Sequence, residues 1–236
     1  MKKNAVIIVT GGQGYLGGAI VNRLKKIGCR PAVFDLHSEY PVDITDYDAV
    51  SRAVEKVYAD FGGLDGLVNC AGGSSRKESR PFAEQKPEVL RRVMEINLFG
   101  TFYCTRAVVP YLMKQKSGVI LNISSLVALG GIMGNSDYGA AKGGVIAATK
   151  AWAMEFGRSN IRVNCVCPGK VQRPNEMPAD PEAFAHRHSF LNRLCTAEDI
   201  ADLAEFLLDD DRAGYITGQN YVIDGGRSLG LKGDNQ

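Results

Sequence analysis

The sequence predicts an α/β fold, a doubly wound parallel β-sheet with helices on both faces. Three observations lead there. Short runs rich in Val and Ile recur along the chain, helical patterns lie between most of them, and the runs are apolar throughout rather than alternating. A strand buried on both faces reads as a continuous apolar run, and a parallel sheet has both faces covered by its crossover helices. The 236 residues, 45% hydrophobic and 23% charged, suit one domain over 1–236 with a sizeable core.

Taken in order, strands are expected at 5–10, 31–36, 64–69, 119–124, 161–167 and 221–223, and helices at 16–27, 47–60, 87–114, 137–156 and 197–208. Two segments break the rhythm. Residues 72–87 are polar and turn-rich, and 168–196 carries Pro168, Pro174, Pro178 and Pro181 among mixed charges. Loops of this length are more often functional than idle. Both follow expected strands at the carboxyl edge of the sheet, where open parallel sheets bind ligands.

The formal net charge of +2, spread along the chain, argues against a nucleic-acid partner. Met1-Lys2-Lys3-Asn4 leads into an apolar run too short for a secretory signal, and no run reaches the roughly 18 residues of a membrane span. A cytoplasmic protein is expected. The six cysteines lack the spacing of a zinc site or a disulfide framework, and no metal is expected. Cys165 and Cys167 would share one strand face without bridging.

Thr10-Gly11-Gly12-Gln13-Gly14-Tyr15-Leu16-Gly17 follows the first strand and opens the first helix. Glycines there let backbone N–H groups approach a pyrophosphate at the positive helix N-terminus, so Gly11, Gly14, Tyr15, Leu16 and Gly17 are candidate cofactor contacts. The second strand ends at Asp35, where a carboxylate would accept from adenosine ribose hydroxyls. It would repel a 2′-phosphate, so NAD is expected over NADP. A solvated strand-end Asp is the bland alternative. Asn69-Cys70-Ala71-Gly72 ends another strand, with small residues that let backbone lie close to a cofactor. Tyr138 and Lys142 stand four apart on an expected helix, hence on one face. An ammonium beside a phenol favours its ionised form and lowers a pKa that begins near ~10.

Together these motifs resemble the short-chain dehydrogenase/reductase family over nearly the whole length. The landmarks occur in order: the glycine turn, Asp43 in Val42-Asp43-Ile44, Asn69-Cys70-Ala71-Gly72, Asn97 in Ile96-Asn97-Leu98-Phe99-Gly100, Asn122-Ile123-Ser124-Ser125, Tyr138 with Lys142, Pro168-Gly169, and Thr217-Gly218-Gln219 followed by Asp224-Gly225-Gly226. The resemblance implies a Rossmann-type fold of the compact branch. It also implies that Tyr138 is the general acid/base, that Lys142 grips the nicotinamide ribose, and that Ser125 holds the substrate oxygen while Ser124 faces away. Asn97 would hold a water linked to Lys142. Asp43 and Ile44 would meet the adenine, and Asn69, Ala71 and Gly72 would line the cofactor. Pro168, Gly169 and the backbone of Val171 would meet the nicotinamide end. A homodimer or homotetramer built through helices 87–114 and 137–156 is implied as well.

Two positions depart from the family pattern. Tyr15 stands where compact members usually have glycine, and Arg173 where they have a threonine. The loop also holds Lys170, His186, Arg187, His188 and Arg193, so an anionic substrate met by Arg173 and Arg187 is one expectation. The leading function is an NAD-dependent oxidoreductase acting on a secondary alcohol or its ketone. The alternatives are a reductase of carrier-bound or CoA-bound 3-oxoacyl chains, and a catalytically silent nucleotide-sensing or scaffold protein.

Overall fold

Strand β1 (Val6–Thr10) is buried along its whole length and sits at the centre of the molecule. In the computed structural model, which describes residues 2–74, 76–174 and 178–229, it is followed by α1 (Tyr15–Lys26), β2 (Arg30–Asp35), β3 (Tyr40–Pro41) and α2 (Tyr47–Phe61). Next come β4 (Gly66–Asn69), α3 (Pro87–Met94), a π-turn at Glu95–Phe99, α4 (Gly100–Gln115) and β5 (Gly118–Ile123). Then α5 (Val127–Gly130), α6 (Ser136–Phe156), β6 (Ile161–Pro168), α7 (Pro181–His188), α8 (Ala197–Leu208), α9 (Asp210–Ala213) and β7 (Asn220–Ile223) complete the order.

The strands form one parallel sheet in the order β3-β2-β1-β4-β5-β6-β7. Winding runs outward from β1 in one direction and from β4 in the other, so the order reverses between these two neighbours. Alternate residues of each strand feed opposite layers. Val6 and Ile8 pack with Val50, Val54 and Val57 of α2 and with Val108 and Leu112 of α4. Ile7 and Val9 pack with Ile20 and Leu24 of α1 and with Ile200 and Leu207 of α8. This division is why the strands are apolar at every position.

The fold expected from the sequence is present, with three differences. The two-residue edge strand β3 is too short to carry a periodic signal. The single helix expected over 87–114 is broken by the π-turn, which places Asn97 fully inside the molecule. The 168–196 segment contains α7, so it is not simply loop. None of the six cysteines is in a disulfide, and Cys165 and Cys167 are both buried on β6. No described helix is long and apolar enough to cross a membrane.

Helix α8 begins with a reciprocal cap: Thr196 Oγ1 accepts from the Asp199 amide at 3.2 Å, while Asp199 Oδ2 accepts from the Thr196 amide at 2.8 Å. Arg193 also donates to Asp199, at 2.5 and 2.8 Å. The guanidinium, joined by the Thr196 donors, holds the Asp199 carboxyl at about 2, below the usual ~3.9. A depressed carboxylate contributes stability that is present above the unfolded value and is lost as pH falls towards the folded one. Asp199→Ala is therefore expected to lower unfolding free energy by about 1 kcal/mol at neutral pH, after discounting for solvent screening. Denaturant titrations should show that difference shrinking between about pH 4 and about pH 2.

Candidate active site

The carboxyl ends of β1 and β4 lie side by side, with Thr10 in register with Asn69. Thr10 is buried, and its hydroxyl accepts from the amides of Cys70 and Ala71, both at 3.0 Å. That brace draws the two strand ends so close that a Cβ on Gly11 would lie 2.7 Å from the Ala71 Cα. Gly11 also has a φ of +65°, which glycine adopts without strain. A Cβ on Gly17 would stand 2.1 Å from the Gly11 carbonyl oxygen. The N-terminus of α1 has no side-chain cap and no acid in its first turn, so its electropositive end faces the cleft without compensation.

A cavity of about 740 Å³ extends from this turn along the sheet edge. Gly11, Gly14, Tyr15, Leu16 and Gly17 line one end, Asp35 and Asp43 to Thr45 the other, and Ala71 and Gly72 the floor. The Asp35 carboxylate accepts from the Gln13 amide at 3.1 Å and from the Leu36 amide at 2.9 Å. Asp43 Oδ1 accepts from the amide and hydroxyl of Thr45 at 2.9 and 2.7 Å.

A second cavity, of about 500 Å³, adjoins the first through Tyr15, Leu16, Cys70, Gly72 and Arg173, which line both. Ser125, Tyr138 and Lys142 form one wall of it, and Pro168, Gly169 and Val171 border it. Lys142 is only 4% exposed. Its ammonium donates to the Ile123 carbonyl at 2.8 Å and lies 5.9 Å from the centre of the Tyr138 ring. Burial pulls its pKa below the usual lysine value. Ser124 is buried at the edge of the same cavity, and its hydroxyl donates to the Lys142 carbonyl at 2.8 Å.

Asn97 sits behind this wall. Its Nδ2 donates to the carbonyls of Gly73 and Val93, both at 2.9 Å, and its Oδ1 accepts from the Gly73 amide at 3.1 Å. A Cβ on Gly72 would meet Asn97 Oδ1 at 2.5 Å and the Lys142 ammonium at 3.2 Å. Gly169 is needed for a similar reason, since a Cβ there would lie 2.7 Å from that of Asp224.

Two expected contacts lie elsewhere. Asn69 is 3% exposed and lines neither cavity; its Nδ2 donates to Asn122 Oδ1 at 2.9 Å and to Thr105 Oγ1 at 3.0 Å, and its Oδ1 is buried without a partner. Asn122 continues the chain to Thr149 at 2.9 Å, and Thr149 to the Val145 carbonyl at 2.8 Å. Asn69 therefore ties strands to α4 and α6. Arg187 lies on the exposed side of α7, where its Nε donates to the Ala183 carbonyl at 3.3 Å, and it too lines neither cavity. Arg193, in the same segment, is occupied by Asp199. The sequence reading missed Lys77 and Glu78 at the second cavity and Arg92, Glu95 and Ile96 at the first. The polar, turn-rich composition of 72–87 pointed towards Lys77 and Glu78 alone.

Gly17→Ala is expected to displace backbone that has nowhere to go, at a cost of about 1–3 kcal/mol in stability. Dinucleotide affinity, followed by calorimetric titration, should weaken at least tenfold.

The comparisons with known proteins agree with this geometry. A family profile described as enoyl-(acyl carrier protein) reductase matches residues 9–228. The chain is 39% identical over 189 residues to a 3-oxoacyl-[acyl-carrier-protein] reductase of Thermotoga maritima, covering 79% of this chain and 75% of the relative. It is 34% identical over 247 residues to a (2S)-[(R)-hydroxy(phenyl)methyl]succinyl-CoA dehydrogenase subunit of Thauera aromatica, covering 96% and 98%. Among solved structures, the ligand-free aldohexose dehydrogenase of Thermoplasma acidophilum superposes with a TM-score of 0.88 at 28% identity, covering 97% of this chain and 96% of that one.

Proposed function

The chain belongs to the short-chain dehydrogenase/reductase family, and from that premise we propose that it is an NAD-dependent oxidoreductase interconverting a secondary alcohol and a ketone, with Tyr138 as general acid/base. The observation that carries this reading is the second cavity, lined by Ser125, Tyr138 and Lys142 and adjoining the first cavity at the glycine turn.

The first cavity fits a dinucleotide. Its turn admits backbone only where Gly11 and Gly17 lack a Cβ, and the α1 N-terminus offers amides to a pyrophosphate. Asp35 would take the adenosine ribose hydroxyls, and Asp43 with Ile44 the adenine. Pro168, Gly169 and Val171 would flank the nicotinamide end. The nicotinamide, when bound, supplies the hydride acceptor or donor. In oxidation the Tyr138 phenolate accepts the alcohol proton, favoured by the ammonium of Lys142 beneath it. Ser125 donates to the same oxygen and stabilises charge developing there. In reduction Tyr138 returns the proton to the incipient alkoxide. Asn97 shapes the backbone behind Lys142, and a water held there would link the lysine to solvent.

The family profile's description names reduction of a carbon–carbon double bond. A hydroxyl donor beside the phenol suits an oxygen-centred reaction better, because both groups then act on one substrate oxygen. The 39%-identical relative favours a second reading, reduction of a 3-oxoacyl group. Asp35 argues against the NADPH preference that would accompany it. We further place the enzyme in the cytoplasm as a single domain. The exposed Phe99, Phe102 and Met154 on the π-turn, α4 and α6 support assembly into a dimer or tetramer through these helices.

Screening alcohols and ketones with both nicotinamides, by absorbance of the reduced form, should reveal NAD-linked turnover. Tyr138→Phe is expected to lower kcat at least a hundredfold with NAD affinity little changed. Wild-type rates in that variant would favour the silent, nucleotide-sensing alternative. Asp35→Ala should narrow the NAD-over-NADP preference about tenfold or more, since a charge-assisted contact contributes roughly 1.5–3 kcal/mol.

A further inference from the structure

The second cavity is lined by charged side chains besides Lys142, and nothing in the hydride-transfer reading uses them. Lys77, on the turn at Arg76–Glu78, and Lys170, just beyond β6, line the second cavity and not the first. They are therefore separated from the glycine turn that would receive a pyrophosphate. Arg173 lines both cavities, so its charge is shared between the two ends. The acid in this cavity, Glu78, is ion-paired with Arg92. Among the described side chains that line this cavity, bases outnumber acids.

Lys170 is half-buried, and its ammonium lies 5.8 Å from the centre of the Phe184 ring on α7. Phe184 in turn stacks on His188 at 4.2 Å between ring centres. The loop carrying Lys170 is pinned on its far side, where the Gln172 amide donates to the Cys195 carbonyl at 2.8 Å. One aromatic face and one anchored backbone thus hold Lys170 at the cavity. A cation kept partly out of water interacts more strongly with an anion than a fully solvated lysine does.

Resting on the oxidoreductase reading above, we propose that Lys77 and Lys170 form a carboxylate-binding subsite, so that the substrate is a hydroxy acid or oxo acid whose anionic end lies across the cavity from Tyr138. A single charge fits better than a dianion, because Glu78 shares the cavity. Lysines suit this task as point charges that follow the carboxylate of substrates differing in length. Arg187, the earlier candidate, takes no part, since it faces away on α7.

The test compares lactate, 3-hydroxybutanoate and 4-hydroxypentanoate with their methyl esters, which keep the carbinol and remove the charge. With NAD and wild-type protein, kcat/KM for at least one acid should exceed that of its ester tenfold or more. The ratio should fall as salt is raised. In the Lys77→Met, Lys170→Met double variant the ratio should collapse towards one, mainly through KM. Arg187→Met should leave it where it was. Calorimetric titration of the same pairs into Tyr138→Phe in the presence of NAD reads binding without turnover and should give the same preference in Kd. Esters matching or outperforming the acids in wild type, or a preference that survives in the double variant, would overturn the subsite and leave the oxidoreductase standing. Failure of every alcohol and ketone with either nicotinamide would overturn the parent reading, and the subsite with it.

Discussion

A buried ammonium organises this molecule. Lys142 is almost wholly removed from water, and an unpaired charge in that position would be expelled or neutralised. Its burial pulls the pKa down, so something must be gained by keeping it there. Of the three donors on an ammonium, one is directed to the Ile123 carbonyl. On the proposed reading the others serve a ribose and a phenolate, and the structural penalty of the resting site is recovered when those partners are in place.

The surroundings of Lys142 follow from that constraint. Ser124 fixes the backbone of α6 at Lys142 itself, and the chain Asn69–Asn122–Thr149 fixes the helix to β4 and β5 one turn and more beyond. Gly72 must be glycine because Asn97 and the ammonium occupy the space a side chain would need. Asn97 reaches that space only because the helix widens into a π-turn, a form found often at functional sites. The site is held by close approach and by hydrogen bonds among buried polar groups. This suits a group that must be positioned within a fraction of an ångström for proton transfer.

How much of this could be read beforehand depends on the range of the signal. The strands were legible because layers on both sides bury every position of each, as Val6, Ile7, Ile8 and Val9 do in turn. The Tyr138–Lys142 pair was legible because helix geometry places residues four apart together. The π-turn was not, since one extra residue barely disturbs the apolar spacing of 87–114. Asn69 was read as a cofactor contact, and the strand register could have suggested its bond to Asn122. It lies directly opposite Asn122 on the neighbouring strand, so the two side chains share a face and satisfy each other. Lys77 and Arg92 escaped notice because only the tertiary fold brings 72–87 and α3 to the cavities. Arg187 was chosen for its charge, and α7 then turned that charge outward.

The two cavities also differ in what builds them. The cofactor end is made by backbone: a glycine turn, a helix terminus and strand ends whose spacing the sheet itself dictates. Side chains matter there chiefly by being absent, as at Gly11 and Gly17, and a sequence that keeps the fold keeps the site. The substrate end is built from side chains on segments that the sheet does not constrain, the turn around Lys77 and the loop from Lys170 to Arg173. A relative named for a 3-oxoacyl group and a structural neighbour named for an aldohexose can therefore share one cofactor end. It follows that family membership speaks to the hydride and the proton but says little about what lies across from Tyr138. That side has to be argued from its own side chains, those of the turn around Lys77 and of the loop from Lys170 to Arg173.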